Sequence, residues 1–155
     1  MHEVDDGLVG ALAARLDAAS EARLGRSLVL YAATTGDCGG CALEMAMLAA
    51  VSRDLARLGV VVQDTPVGAD VLLVTGAMTR ALVAPVQRAL RAMAAPCWVM
   101  AVGDCAVDGG VFAASAAVAG GAGAAVPVDL VVPGCPPPPA AIVSALQTLL
   151  AANAA

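Results

Sequence analysis

Apolar residues fall into two kinds of stretch along this chain. Some recur every three or four positions, the period of one helix face, and others run four to six in a row, as in a strand buried on both sides. Leu8, Leu12 and Leu16, flanked by Val9 and Ala13, predict an amphipathic helix over 7–24 that Gly25 closes. The run Ser27-Leu28-Val29-Leu30-Tyr31-Ala32 predicts a strand, followed by a helix from about Ala42 to Leu58 that Gly59 stops. Val60-Val61-Val62 predicts a brief strand, and Asp70-Val71-Leu72-Leu73-Val74-Thr75-Gly76 a stronger one. Residues 79–94 form a second amphipathic pattern, with Leu82, Val86, Leu90 and Met93 inward and Arg80, Arg88 and Arg91 outward. Pro85 lies in its first two turns, which predicts a later start or a kink. Two more strands are expected at 97–102 and 128–132, and a closing helix from about Pro139 to Ala152. The Ala/Gly-rich stretch 113–126 leaves helix and loop both open.

Strands without polar alternation, separated by helices, predict an α/β fold with a parallel sheet of four to five strands covered on both faces. The link between the strands at 60–62 and 70–75 is too short for an ordinary parallel crossover. It therefore puts the earlier strand at an edge or makes it vestigial. Residues 1–26 read as a helical extension, and 27–155 as one domain.

The length of 155 residues suits a single core. Hydrophobic residues reach 60% and aromatics only 2%, with a mean hydropathy of +0.84. Two readings fit: a subunit that hides its surface against partners, or an Ala-rich composition that inflates hydropathy. The nearest approach to a membrane span, Val111 to Val128, is broken by Gly120, Gly121, Gly123 and Pro127. The acidic start Met1-His2-Glu3-Val4-Asp5-Asp6 lacks the basic region of a secretory signal, so a cytoplasmic chain is expected. A net charge of −5 without a basic cluster excludes a nucleic-acid partner and gives no hold on anionic lipid.

Candidate chemistry rests on cysteine. Cys38, Cys41, Cys105 and Cys135 each follow an apolar run in a Gly- or Pro-rich segment, read as a loop. In an open parallel sheet such segments gather beyond the carboxyl ends of the strands. Four thiolates on one rim match the ligand set of a 4Fe–4S cluster. Gly36, Gly39, Gly40, Gly103 and Gly134 would let backbone approach it and donate N–H groups to sulfur, and the helix near Ala42 would point its positive end there. Two alternatives stand at this point. Structural zinc also takes four cysteines, though usually as two local pairs, and free cysteine is a common core residue. The core reading suits Cys97, inside the run Cys97-Trp98-Val99-Met100. Thr34-Thr35-Gly36-Asp37 is also similar to a flavin phosphate loop, but Tyr31, Trp98 and Phe112 are the only rings available to stack on flavin.

The segment Gly36-Asp37-Cys38-Gly39-Gly40-Cys41-Ala42-Leu43-Glu44-Met45 resembles the cluster loop of the small subunits of energy-converting, membrane-bound nickel–iron hydrogenases. Their relatives are the 20 kDa, B-type subunits of complex I, the NADH–quinone oxidoreductase. The resemblance continues through Ala69 to Gly76, Thr79-Arg80, Gly103-Asp104-Cys105 with Gly109-Gly110, and Val126 to Pro137. It implies a single flavodoxin-like domain and one 4Fe–4S cluster on Cys38, Cys41, Cys105 and Cys135. The implied role is electron transfer within a membrane-associated oxidoreductase complex, with no complete active site in this chain. Partners implied are a large hydrogenase-like or complex I 49 kDa-like subunit, a ferredoxin-like iron–sulfur subunit and, indirectly, a membrane arm. The implied location is the cytoplasmic face of the inner membrane.

Gly39 and Gly40 separate the first two cysteines, as in the hydrogenase branch, whereas complex I subunits typically carry them adjacent. The readings are therefore a hydrogenase small subunit, a quinone-reducing complex I-type subunit, or a zinc-stabilised scaffold without redox role. Glu44 matches a family acid after the second ligand, and is either a proton-coupling group or a first-turn helix acid. Arg80 also matches. Asp104 and Asp108 depart from the family's small neutral residues, and their charge disfavours reduction of an anionic cluster unless it is paired or solvated.

Overall fold

A computed structural model describes residues 24–51 and 59–152, with single positions at 11, 18 and 22. The expected helix over 7–24 lies almost wholly outside the described residues. Leu24, at its end, packs against the core.

Five parallel strands form the sheet: β1 (Leu28–Thr34), β2 (Val60–Gln63), β3 (Val71–Thr75), β5 (Trp98–Val102) and β7 (Leu130–Val132). Their spatial order is β2-β1-β3-β5-β7, the flavodoxin-like order. Helices α1 (Gly40–Val51), α2 (Arg80–Ala92), α3 (Asp104–Asp108) and α4 (Pro139–Ala152) connect or follow them. A small antiparallel pair joins β4 (Met78–Thr79) to β6 (Val118–Gly120).

Strand periodicity builds two cores. Leu28, Leu30, Val71, Leu73, Met100 and Val102 face one way, against Ile142, Val143, Leu146 and Leu150 of α4 and Met45 of α1. Leu72, Val74, Val99 and Ala101 face the other way, against Val86 of α2, Met93, and Ala106 of α3. The sheet is thus buried on both sides, which is why β3 and β5 show no polar alternation.

The short link after β2 is explained by register. Strand β2 pairs with Leu28–Tyr31 of β1, and β3 with Leu30–Thr34 on the other side. The end of β2 therefore lies near the level where β3 begins, and the chain need only cross β1. Strand β2 is an edge strand, in agreement with the first of the two expectations.

Pro85 neither delays nor divides its helix. Helix α2 starts at Arg80 and contains Pro85. Val86 and Met93 are buried, Leu82 and Leu90 half-buried, and Arg80, Arg88 and Arg91 exposed, as the pattern required. The undecided stretch 113–126 holds β6 and a 3-10 turn, Ala122–Ala124. Its small residues let it lie directly on α3: a Cβ at Gly121 would stand 2.3 Å from the Val107 carbonyl oxygen.

At the amino ends of the strands, aspartates secure the sheet. The Asp70 carboxylate accepts two 2.8 Å hydrogen bonds from Arg26 and one of 2.9 Å from the Val29 N–H. Asp129 accepts from the Val99 N–H at 2.7 Å.

Candidate metal centre

The four singled-out cysteines meet at the opposite, carboxyl edge. Cys38 follows β1, Cys41 stands on the first turn of α1, Cys105 on the first turn of α3, and Cys135 follows β7. Two of them are thus helical, not in loops as their glycine-rich flanks suggested. Gly103 turns the chain so sharply that α3 begins at once beyond β5, and Gly40 is itself the first residue of α1.

Strands β1 and β7 lie three strand spacings apart, roughly 14 Å, so the first loop must lean inward across β3. It does so over a turn built from small residues. The Thr35 hydroxyl sits 2.8 and 2.9 Å from the Thr75 and Ala77 carbonyl oxygens. Gly36 and Ala77 form a reciprocal bridge, with N···O distances of 2.8 and 2.9 Å. The Asp37 carboxylate accepts from the Thr75 hydroxyl at 3.2 Å and from the Gly39 N–H at 3.1 Å. A Cβ at Gly76, where φ is +83, would lie 2.6 Å from the Asp37 Cβ. No other residue permits that crossing.

The result is close convergence. A Cβ built on Gly103 would meet the Cys41 Sγ at 2.6 Å and lie 3.6 Å from the Gly134 carbonyl oxygen. Elements following β1, β5 and β7 therefore touch at one point. Gly103 also has φ +92, a conformation that side-chain-bearing residues avoid. A Cβ on Gly110 would stand 2.9 Å from the Cys105 Sγ, and one on Gly40 would stand 3.6 Å from the Cys38 Sγ. Three of the four sulfurs thus lie in cradles that a methyl group would crowd or fill.

Electrostatics report the same gathering. The Cys41 thiol is pushed up to about 11, first by burial and then by Cys105, Cys38, Asp37 and Cys135. Burial outweighs the favourable field of the α1 N-terminus. The Cys105 thiol is also raised by burial and then by Cys135 and Cys38, against a hydrogen bond from the Val111 backbone N–H that favours its thiolate. Cys38 and Cys135 therefore act on both Cys41 and Cys105, and Cys105 acts on Cys41. Among the described residues, however, no three His, Cys, Asp or Glu side chains close around a single metal ion. A tetrahedral zinc would hold its sulfurs only about 3.8 Å apart, from Zn–S bonds of about 2.3 Å.

Four of the five glycine N–H groups, all but that of Gly40, are engaged elsewhere rather than with sulfur. Those of Gly36, Gly103 and Gly134 donate to the Ala77 and Val132 carbonyls and the Asp104 carboxylate, and that of Gly39 to Asp37. Backbone donors folded into loop-to-loop bonds are not free for sulfur. Val111 supplies the donor to Cys105 instead, and the pattern carried no signal for it.

Asp104 and Asp108, expected to load the site with charge, are both engaged. Asp104 accepts from the Gly134 N–H at 2.7 Å, and the exposed Asp108 from the Gly110 N–H at 2.8 Å. The overlooked signal was an aspartate directly before a cysteine, found at Asp37–Cys38 and at Asp104–Cys105.

Cys97 stands apart at the amino end of β5, half-buried, its thiol raised by burial and by Asp129. Glu44 is half-buried on α1 and has no hydrogen-bond or ion-pair partner among the described residues. Arg80 donates from Nε to the Ala116 carbonyl at 2.9 Å, so it secures the 113–117 segment. A cavity of about 290 Å³ lies between α1 and the sheet, lined by Ala32, Thr34, Met45, Val62, Leu73 and Thr75 among others.

Comparison with known proteins adds the following. The family described as NADH ubiquinone oxidoreductase, 20 Kd subunit, matches residues 38–149. Formate hydrogenlyase subunit 7 of Escherichia coli (strain K12) is 40% identical over 119 residues, which cover 77% of this chain and 47% of that protein. The B-type subunit of NADH-quinone oxidoreductase from Heliobacterium modesticaldum (strain ATCC 51547 / Ice1) is 40% identical over 112 residues, 72% of this chain and 64% of that one. The chain thus spans about half to just under two thirds of these relatives. Among solved structures, the membrane-bound sulfane sulfur reductase, an archaeal respiratory membrane complex, contains a similar chain. That chain aligns with a TM-score of 0.70 and 26% identity, over 87% of this chain and 72% of its own length.

Proposed function

The chain belongs to the family of the NADH ubiquinone oxidoreductase 20 kDa subunit, and from that premise we propose that it is an electron-transfer subunit of a membrane-associated oxidoreductase complex. It holds one 4Fe–4S cluster on Cys38, Cys41, Cys105 and Cys135. The observation that carries this reading is the convergence at Gly103 of the segments that follow β1, β5 and β7, with Cys38 and Cys135 both acting on Cys41 and Cys105.

The donor set fits the group. Four thiols, no imidazole among them, suit an iron–sulfur cluster. Gly103 and Gly110 leave room beside the Cys41 and Cys105 sulfurs. When bound, such a cluster supplies a one-electron couple. The chain's own part is to hold four thiolates at fixed spacing, to keep Cys41 and Cys105 partly shielded from water, and to direct the Val111 N–H at Cys105. Because Cys41 and Cys105 are raised as free thiols, loading the site releases protons.

The hydrogenase branch is favoured by the two-residue spacing between Cys38 and Cys41 and by the likeness to formate hydrogenlyase subunit 7. The equal identity to the B-type subunit of NADH-quinone oxidoreductase keeps quinone reduction as the second reading. In either case chemistry at nickel–iron or quinone is shared with a large partner subunit, a ferredoxin-like subunit exchanges the electrons, and attachment to the cytoplasmic membrane face is peripheral. No helix among the described residues is long and apolar enough to cross a membrane. The half-buried Glu44, which has no hydrogen-bond or ion-pair partner among the described residues, supports a proton-coupling role beside the cluster.

Anaerobic purification with metal analysis and electron paramagnetic resonance tests this. About four irons per chain with a signal on reduction are expected for one cube, whereas one zinc per chain and no signal would overturn the reading. The co-purifying large subunit then separates the two branches: cysteine pairs near both its termini imply nickel–iron, and their absence implies quinone.

A further inference from the structure

The loop that carries Cys135 has few means of holding itself in place. Between Pro133 and Pro139 it contains five prolines, none with a backbone N–H. Gly134 and Cys135 supply the only backbone donors of this stretch. Gly134 has no side chain and adopts φ +139, and a Cβ there would lie 2.7 Å from the Pro137 Cα. The loop is folded tightly on itself, and Cys135 is exposed at its tip. The parallel ladder between β5 and β7 reaches its last paired residues at Val102 and Val132. One more bond, from the Gly103 N–H to the Val132 oxygen at 2.8 Å, continues it.

Beyond that point a single residue joins the two turns. The Asp104 N–H donates to the Gly134 oxygen at 2.9 Å. The Asp104 carboxylate accepts from the Gly134 N–H at 2.7 Å. Asp104 therefore closes a ring on Gly134, with its neighbour Cys105 on one side and Cys135 on the other. The second bond is charge-assisted and short, hence among the stronger of its kind.

The geometry points to Asp104 as a positioning residue that sets the separation of Cys105 and Cys135 through Gly134. This inference rests on the proposed cluster. It gives the Asp104 carboxylate a geometric duty, as an acceptor, in addition to the electrostatic burden its charge places on Cys105. Asparagine retains an oxygen that can accept from the Gly134 N–H and loses the charge, whereas alanine loses both. The two substitutions therefore separate position from charge.

The full chain and its D104N and D104A variants would be loaded anaerobically with iron and sulfide. Three readouts follow: chelator-driven decay of the cluster's visible absorption, its paramagnetic line shape on reduction, and hydrogen exchange of the Gly134 amide in the iron-free protein. With one charge-assisted bond removed, D104A should speed both decay and Gly134 exchange about tenfold and alter the line shape. D104N, which keeps a neutral bond of about half the strength, should stay within about threefold of the native chain on both rates and keep its line shape. Native-like decay in D104A, or equal damage in D104N, would overturn the inference while the native protein still carried its cluster. Failure of the native chain to take up iron would instead remove the proposed function, and the positioning role with it. D104N, which keeps the hydrogen bond, guards against mistaking a folding defect for a ligand effect.

Discussion

Cys41 and Cys97 are both held protonated by burial, but in different company. Around Cys97 the other influence among the described residues is Asp129, at the amino edge of the sheet. Around Cys41 it is three further thiols and Asp37. In the iron-free protein, Cys41 ionises at about 11 when folded, against an ordinary 9.0. The folded chain thus holds a proton that the unfolded chain gives up across that interval. The stability associated with Cys41 is fully present below pH 9 and lost as pH rises toward 11. Urea midpoints measured at pH 8, 9 and 10 should fall with pH, and less steeply in Cys41→Ser. Ligation makes a sharper distinction between the cysteines. Cys105→Ser should lose most of its bound iron. Cys97→Ser should retain the native iron content and lose about 1 kcal/mol or less on unfolding. Equal iron loss in both would mean that the ligand set is wrongly assigned.

At the scale of elements, the sheet is secured at one end and functional at the other. Asp70 accepts three hydrogen bonds, from Arg26 twice and from Val29. Its side chain is 10% exposed against 51% for Arg26. Asp70→Ala leaves the Val29 N–H without that acceptor and should cost about 2 kcal/mol in urea unfolding. Arg26→Ala should cost about 1 kcal/mol or less, because a pair with a half-exposed partner is screened by solvent. Neither should change iron content, since both lie across the sheet from the cysteines. Loss of iron in Asp70→Ala at temperatures where it stays folded would contradict that separation. Most elements were legible as patterns: α2 has a clear inward stripe, and α4 was expected with its observed bounds, from the last proline of the run 136–139. The 113–126 stretch was not legible, because Ala and Gly carry no periodic contrast and its strand exists only through pairing with Met78–Thr79.

For the whole molecule, exposed apolar side chains occur beside the cysteine rim as well as on the β2 edge and the link after it, where Val61, Val62 and Val67 lie. Leu43 next to Cys41 is 64% exposed and Val111 near Cys105 is 82% exposed, with Phe112 and Val107 also open to solvent. This supports the buried-subunit reading of the high mean hydropathy over composition alone. Val111→Glu alters this collar and leaves the backbone donor to Cys105 in place. It should reduce co-purification of the large subunit about tenfold, as loss of one buried apolar anchor would, with little change in iron per chain. Undiminished co-purification would place the partner's contact elsewhere.

Four cysteines, the glycines between them and a run of continuous apolar strands were enough, from sequence, to specify a parallel α/β sheet with candidate ligands at its carboxyl edge. Hydrophobic period and strand polarity are local properties that survive in a linear string. How the ligands are held was decided only by tertiary structure. Residue order does not encode that Gly76 lets the Cys38 loop cross β3, that Gly103 receives the Cys41 sulfur, or that Asp104 bonds to Gly134. Each of these depends on distances between segments 30 or more residues apart, which arise only after the strands have paired.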